Sequence, residues 1–112
     1  MEITKDSSKF DQLQLYLIRV IASDVREACE QAGMTGSALQ EAVGSITFGV
    51  ATIIDGSRVM SYENEPVIPV LTFGVLNEDE AGEEAIPSVI SYGSTSFMHE
   101  YAMGIVEEMF ER

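Results

Sequence analysis

His99 is the only imidazole in the chain, and it stands three residues after Gly93-Ser94-Thr95-Ser96. An imidazole is the side chain most often used to move protons near neutral pH, and the nearby hydroxyls would offer it a nucleophile. If a helix starts here, its free N–H groups would also hold an anion or an oxyanion. Ser94, Ser96 and His99 are therefore the candidate catalytic set. The spacing is not that of a nucleophile elbow, because Phe97 or Met98 stands where the second glycine belongs. It is not a phosphate-binding loop either, since no lysine follows. The plainer interpretation is a helix start capped by hydroxyls beside a half-buried histidine, and it leans away from an enzyme.

Cys29 is the only thiol. It cannot close an internal disulfide, and one cysteine with one histidine cannot make a zinc site. Its neighbours Glu27 and Glu30 do not favour a thiolate, so Cys29 is assigned to packing. The acidic run from Asn77 to Glu84 invites comparison with a calcium loop. Counted from Asn77, the first, third and sixth positions suit an EF-hand through Asn77, Asp79 and Gly82. Ala81 and Ser88 fall where the fifth and twelfth ligands belong. No metal and no cofactor is expected.

These residues are positioned by an alternation of helices and strands. The first helix is expected over Ser8 to Gln31, with Ser8 and Asp11 as its start signal and Gly33 as its stop. Leu13, Leu17, Val20, Ile21, Ala28 and Ala32 keep helical spacing. Leu15, Tyr16 and Ile18 widen the apolar arc past one stripe, which predicts burial on two sides and a homodimer joined through those three residues. A short second helix is expected over Ala38 to Val43, opened by Ser37 with Gln40 and ended by Gly44.

Alternation then predicts a strand over Ser45 to Ile54. A hairpin turn at Asp55-Gly56 and a return strand over Arg58 to Tyr62 would follow. Glu63 to Pro66 turns the chain into a strand over Val67 to Leu76, placed at an edge by Pro69. A fourth strand is expected over Ile86 to Tyr92. A final helix is expected over Phe97 to Glu111, with Phe97, Met98, Tyr101, Met109 and Phe110 in its core arc and Met103 on its flank. The fold class is α+β: a three- or four-stranded, mainly antiparallel sheet packed by a long N-terminal helix, a short second helix and a C-terminal helix.

The 112 residues suit a single domain, exposing roughly 6,000 Å² when folded. The longest apolar stretch, Leu13 to Ala22, is interrupted by Gln14 and Arg19 and falls short of a membrane span. Met1 to Phe10 lacks the apolar core of a signal peptide. A cytoplasmic protein away from membranes is expected. The net charge is −13, split as −3 through Arg58 and −10 from Val59 onward. That balance argues against nucleic acid and anionic lipid, whose phosphates need lysine and arginine.

Three kinds of function remain. The favoured one is a non-enzymatic interaction or inhibitory module for a basic protein partner, similar in composition to small acidic immunity-like domains. Its binding surface would be Glu63, Glu65, Glu78, Asp79, Glu80, Glu83, Glu84, Glu107, Glu108 and Glu111. The alternatives are a small-ligand protein or enzyme built on Gly93 to Ser96 with His99, and a homodimeric assembly subunit.

Overall fold

The computed structural model describes residues 2–78, 84–91 and 97–111. In chain order these form β1 (Glu2–Lys5), α1 (Ser7–Gln31), α2 (Gly36–Ile54), β2 (Met60–Tyr62), β3 (Glu65–Val67), β4 (Thr72–Glu78), β5 (Glu84–Ser91) and α3 (Met98–Phe110). The class is α+β, with three helices, a three-stranded sheet and a separate two-stranded ribbon.

Helix α1 is capped by Asp6 instead of Ser8: the Asp6 carboxylate accepts the Lys9 N–H at 3.0 Å. Its most buried line is Phe10, Gln14, Ile18 and Ala22, continued by Cys29, a repeat of four that lays one stripe along the helix. The helix closes where Gly33 turns left-handed, at φ +91°. There the Gly33 N–H donates to the Glu30 carbonyl and the Met34 N–H to the Cys29 carbonyl, the paired bonds of a Schellman ending. Ile18 is 0% exposed, Leu15 is half-buried and Tyr16 is 68% exposed. The residues expected to widen the outer arc thus divide, and Ile18 belongs to the core of a single chain.

Helix α2 corrects the largest sequence expectation. The short helix over Ala38 to Val43 and the strand over Ser45 to Ile54 are one helix of 19 residues, with Thr35 at its N-cap. Leu39, Val43, Thr47 and Ala51 are buried at a spacing of four. Packing that stripe outweighs the few tenths of a kcal/mol by which each β-branched residue disfavours a helix. Asp55-Gly56 consequently ends a helix and does not turn a hairpin: Asp55 is the C-cap and Gly56 follows at φ +78°. Among the described residues, α2 is also long and apolar enough to cross a membrane, by length and composition. It lies against α1 and α3 along one face, and 28% of its apolar window is buried.

The main sheet has strand order β1-β5-β4. Strands β4 and β5 are antiparallel, with Phe73 opposite Ile90 and a register shift between Val75 and Asn77. Strand β1, for which the sequence carries no signal, pairs parallel to β5 with Ile3 opposite Val89. The sheet is therefore mixed. In the ribbon, β2 pairs with β3 around Glu63-Asn64, both left-handed at φ 50° and 67°, as a tight hairpin turn of this hand requires. Pro66 sits within β3, where a two-stranded ribbon leaves an edge for it. The return strand thus exists, but its partner is β3.

Helix α1 occupies the middle. The ring of Phe10 meets Phe73 of β4 edge-on, centroids 5.3 Å apart. Ile18, Ala22 and Cys29 share a core with Leu39, Val43 and Ala51 of α2 and with Met98, Ala102, Ile105 and Val106 of α3. The chain exposes 7523 Å², more than the roughly 6,000 Å² expected of its mass. The β2–β3 ribbon contributes to the surplus, since all six of its strand residues are exposed.

Candidate functional site

The start of α3 is where side chains from all three helices converge. A helix leaves its first N–H groups without internal partners, and the N-cap residue here, Phe97, supplies no side-chain hydrogen bond. The other helices supply the acceptors. Gln14 of α1 accepts the Phe97 N–H through Oε1 at 3.4 Å, and Asp55, the C-cap of α2, accepts the His99 N–H through Oδ2 at 2.9 Å. Gln14 is almost fully buried, and its amide donates to Asp11 Oδ1 at 2.7 Å. The same oxygen receives the Tyr101 hydroxyl at 2.8 Å.

Asp55 is the centre of this arrangement. Its carboxylate accepts the Ser57 N–H at 2.9 Å as well as the His99 N–H, and it is hydrogen-bonded to His99 Nδ1. The Ser57 hydroxyl lies 3.0 Å from that same ring nitrogen. Burial pushes the Asp55 carboxyl up, but the hydrogen bonds from Ser57 and His99 together outweigh it and hold the group below its ordinary value of 3.8. Asp55 is thus an ionised carboxylate at neutral pH, with its side chain 0% exposed. When the ring is neutral, a carboxylate on Nδ1 favours the tautomer with Nδ1–H donating and Nε2 carrying the lone pair. The His99 side chain is 30% exposed.

Among the described residues, His99 is an oriented histidine without a serine on the ring nitrogen opposite Asp55. In a relay the nucleophile sits on the ring nitrogen opposite the carboxylate, whereas Ser57 and Asp55 share Nδ1. Ser94 and Ser96, with the rest of the Gly93 to Ser96 loop, lie outside the described residues. Among the described residues, no three side chains of His, Cys, Asp or Glu converge as a metal set.

From His99 the site continues along the surface. The Phe48 ring stands edge-on to the imidazole, centroids 6.2 Å apart and planes at 84°. It opens a groove between α2 and α3, lined by Glu41, Ser45, Phe48 and Met103 and enclosing ≈ 380 Å³. A further ≈ 240 Å³ continues it between Ser37, Gln40, Glu41, Met103, Val106 and Glu107. Gly44 leaves room for the Met103 side chain, since a Cβ there would meet Met103 Cε at 3.3 Å. Met103 remains 46% exposed on the groove floor, as its flank position predicts. Glu41 and Glu107 are exposed. The ion pairs of lysine or arginine among the described residues are Arg19–Glu108 and Arg26–Glu30, each at 3.7 Å, and neither involves them.

The acidic residues that the sequence points to are spread over separate elements. Glu63 and Glu65 are exposed on the β2–β3 ribbon, while Glu78 and Glu84 are paired in register where β4 ends and β5 begins. Glu107, Glu108 and Glu111 are exposed at the end of α3. Asp79, Glu80 and Glu83 lie outside the described residues. Sequence reasoning misses Asp55, Ser57, Phe48 and Glu41 as members of the site. Asp55 does carry a signal, but it reads as a hairpin turn, and the other three carry none. Comparison with known families, with curated proteins and with solved structures finds no match to this chain.

Proposed function

We propose that this chain is a non-enzymatic cytoplasmic interaction module, inhibitory in the manner of an immunity protein, whose partner is a basic protein. The observation that carries the reading is that Glu41, Glu63, Glu65 and Glu107 are exposed and outside the ion pairs Arg19–Glu108 and Arg26–Glu30, on a chain of net charge −13. Carboxylates without a paired cation among the described residues repel one another and set up a field that speeds encounter with a basic surface. The surplus exposed area fits a protein that completes its packing against a partner, whether a basic protein or a second copy. The test is capture from lysate of the native host at about 50 mM and about 500 mM salt, concentrations between which exposed contacts become strongly screened. A basic protein held at low salt and released at high salt supports the reading. Absence of any specific protein at either salt removes it.

The buried Asp55 carboxylate on His99 supports a second reading, a small-ligand protein or enzyme that uses the imidazole. An oriented acceptor nitrogen on a partly exposed ring is what a general base requires. A His99→Ala protein that binds and turns over every tested compound as the parent does would dismiss it.

A further inference from the structure

We infer that the α2–α3 groove is the seat of an arginine-bearing segment of the basic partner, an inference that rests on the interaction-module reading above. The groove combines two features that ask for different things. Its floor offers the exposed, apolar Phe48 and Met103, which gain by being covered. Its walls carry Glu41 and Glu107, which would lose hydration on being covered unless a cation came with the cover. An arginine side chain meets both demands: its methylene stem lies on apolar surface, and its guanidinium bonds carboxylates and stacks on rings. Lysine shares the charge but is more strongly hydrated and lacks the planar fork.

The chain already uses this chemistry on itself. Arg26 of α1 lies 4.4 Å from the centre of the Phe110 ring, approaches Glu30 at 3.7 Å and donates to the Met109 carbonyl at 3.1 Å. Stem, ring and carboxylate act together there, at the end of α3. A purely apolar helix in the groove would strand Glu41 and Glu107 without partners. Nucleic acid or an anionic membrane would meet them with like charge. A second copy would bring another −13 to the same surface.

The experiment titrates the full chain, with labelled methionine methyl groups and backbone amides, with three synthetic peptides of one sequence. They differ in carrying arginine, lysine or the neutral isostere citrulline at the same positions. The arginine peptide is expected to shift the Met103 methyl and the amides around Phe48 and Glu107, and to bind about tenfold more tightly than the citrulline peptide. The lysine peptide is expected to fall between them. The exposed double substitution Glu41→Gln with Glu107→Gln is expected to weaken the arginine peptide about tenfold, with the far-ultraviolet circular dichroism unchanged.

Equal binding of the arginine and citrulline peptides overturns the inference, as does no binding of any peptide. Salt-sensitive binding that moves Glu63 and Glu65 while leaving Met103 and the double variant unaffected also overturns it, and leaves the interaction-module reading standing. Shifts at Met103 that grow with protein concentration alone overturn it in favour of a second copy. The module reading itself fails separately, through the lysate capture.

Discussion

Asp55 and His99 are 44 residues apart in sequence, yet the carboxylate of the first caps the helix whose second residue is the other. The residue that ends α2 thereby starts α3, and its charge lies at the positive end of the α3 dipole. Asp55→Ala would leave the N–H groups of Ser57 and His99 without their acceptor, and is expected to cost about 3 kcal/mol. His99→Ala keeps the backbone bond to Asp55 and is expected to cost about 1 kcal/mol. Because the two share one network, the double variant should cost less than the two losses combined. Urea denaturation of the four proteins checks this, and strict additivity would show that the pair is not coupled.

The same carboxylate makes stability depend on acid. Asp55 has a folded-state pKa below its ordinary value of 3.8. Its contribution is therefore fully present above the unfolded value and is lost as pH falls through the folded one. Relieved repulsion among the other carboxylates changes stability in the same pH range. The informative quantity is thus the difference between the parent and Asp55→Asn. That difference should be constant near neutrality and shrink below about pH 4. A difference that stays level to pH 2 would contradict an ionised, hydrogen-bonded Asp55.

Glycines divide by what surrounds them. At Gly49 in α2 and Gly104 in α3 an added methyl group would find nothing within 4 Å, and neither has a left-handed backbone. Alanine at either is expected to raise stability by about 0.5–1 kcal/mol, the helix-propensity difference. Gly33 also has open space but holds φ +91°, so Gly33→Ala is expected to lose about 1 kcal/mol or more. Thermal melts of the three variants at one protein concentration test the ordering.

Thr47 is fully buried, and among the described residues its hydroxyl has no hydrogen-bond partner. Thr47→Val keeps the shape and removes the stranded hydroxyl, and is expected to add about 1 kcal/mol. Thr47→Ser keeps the hydroxyl, loses a methyl group and is expected to be less stable than the parent. A valine variant that unfolds more easily would mean that the hydroxyl is satisfied in solution.

Much of this architecture is legible in the residues, for identifiable reasons. Helix α1, strand β5 and helix α3 can be placed within a few residues, because each has a periodic apolar face and a glycine or proline near its ends. The strand expected over Val67 to Leu76, by contrast, begins only at Thr72, and Val67 belongs to β3. The second half of α2 cannot be placed this way. Ile46, Phe48, Val50 and Ile54 alternate as a strand would, while Leu39, Val43, Thr47 and Ala51 repeat as a helix does. Only the neighbours in space decide between the two, and α1 and α3 bury the second set. Asp55-Gly56 misleads for a related reason, since a left-handed glycine serves a hairpin and a helix end equally well. Strand β1 has four exposed residues and exists through its pairing with β5. His99 is legible as a lone imidazole. Its partners are not, because no local spacing links it to Asp55 and Ser57.

The parallel pairing of β1 with β5 also sets an order of events. Residues 2–5 leave the ribosome well before their partners at 88–91. Helices α1 and α2 can meet while that strand still waits, but α3 and the Asp55 cap come later still. During synthesis the chain therefore carries a free strand edge and an uncovered helix face at once, before most of the acidic stretch from Val59 onward has followed.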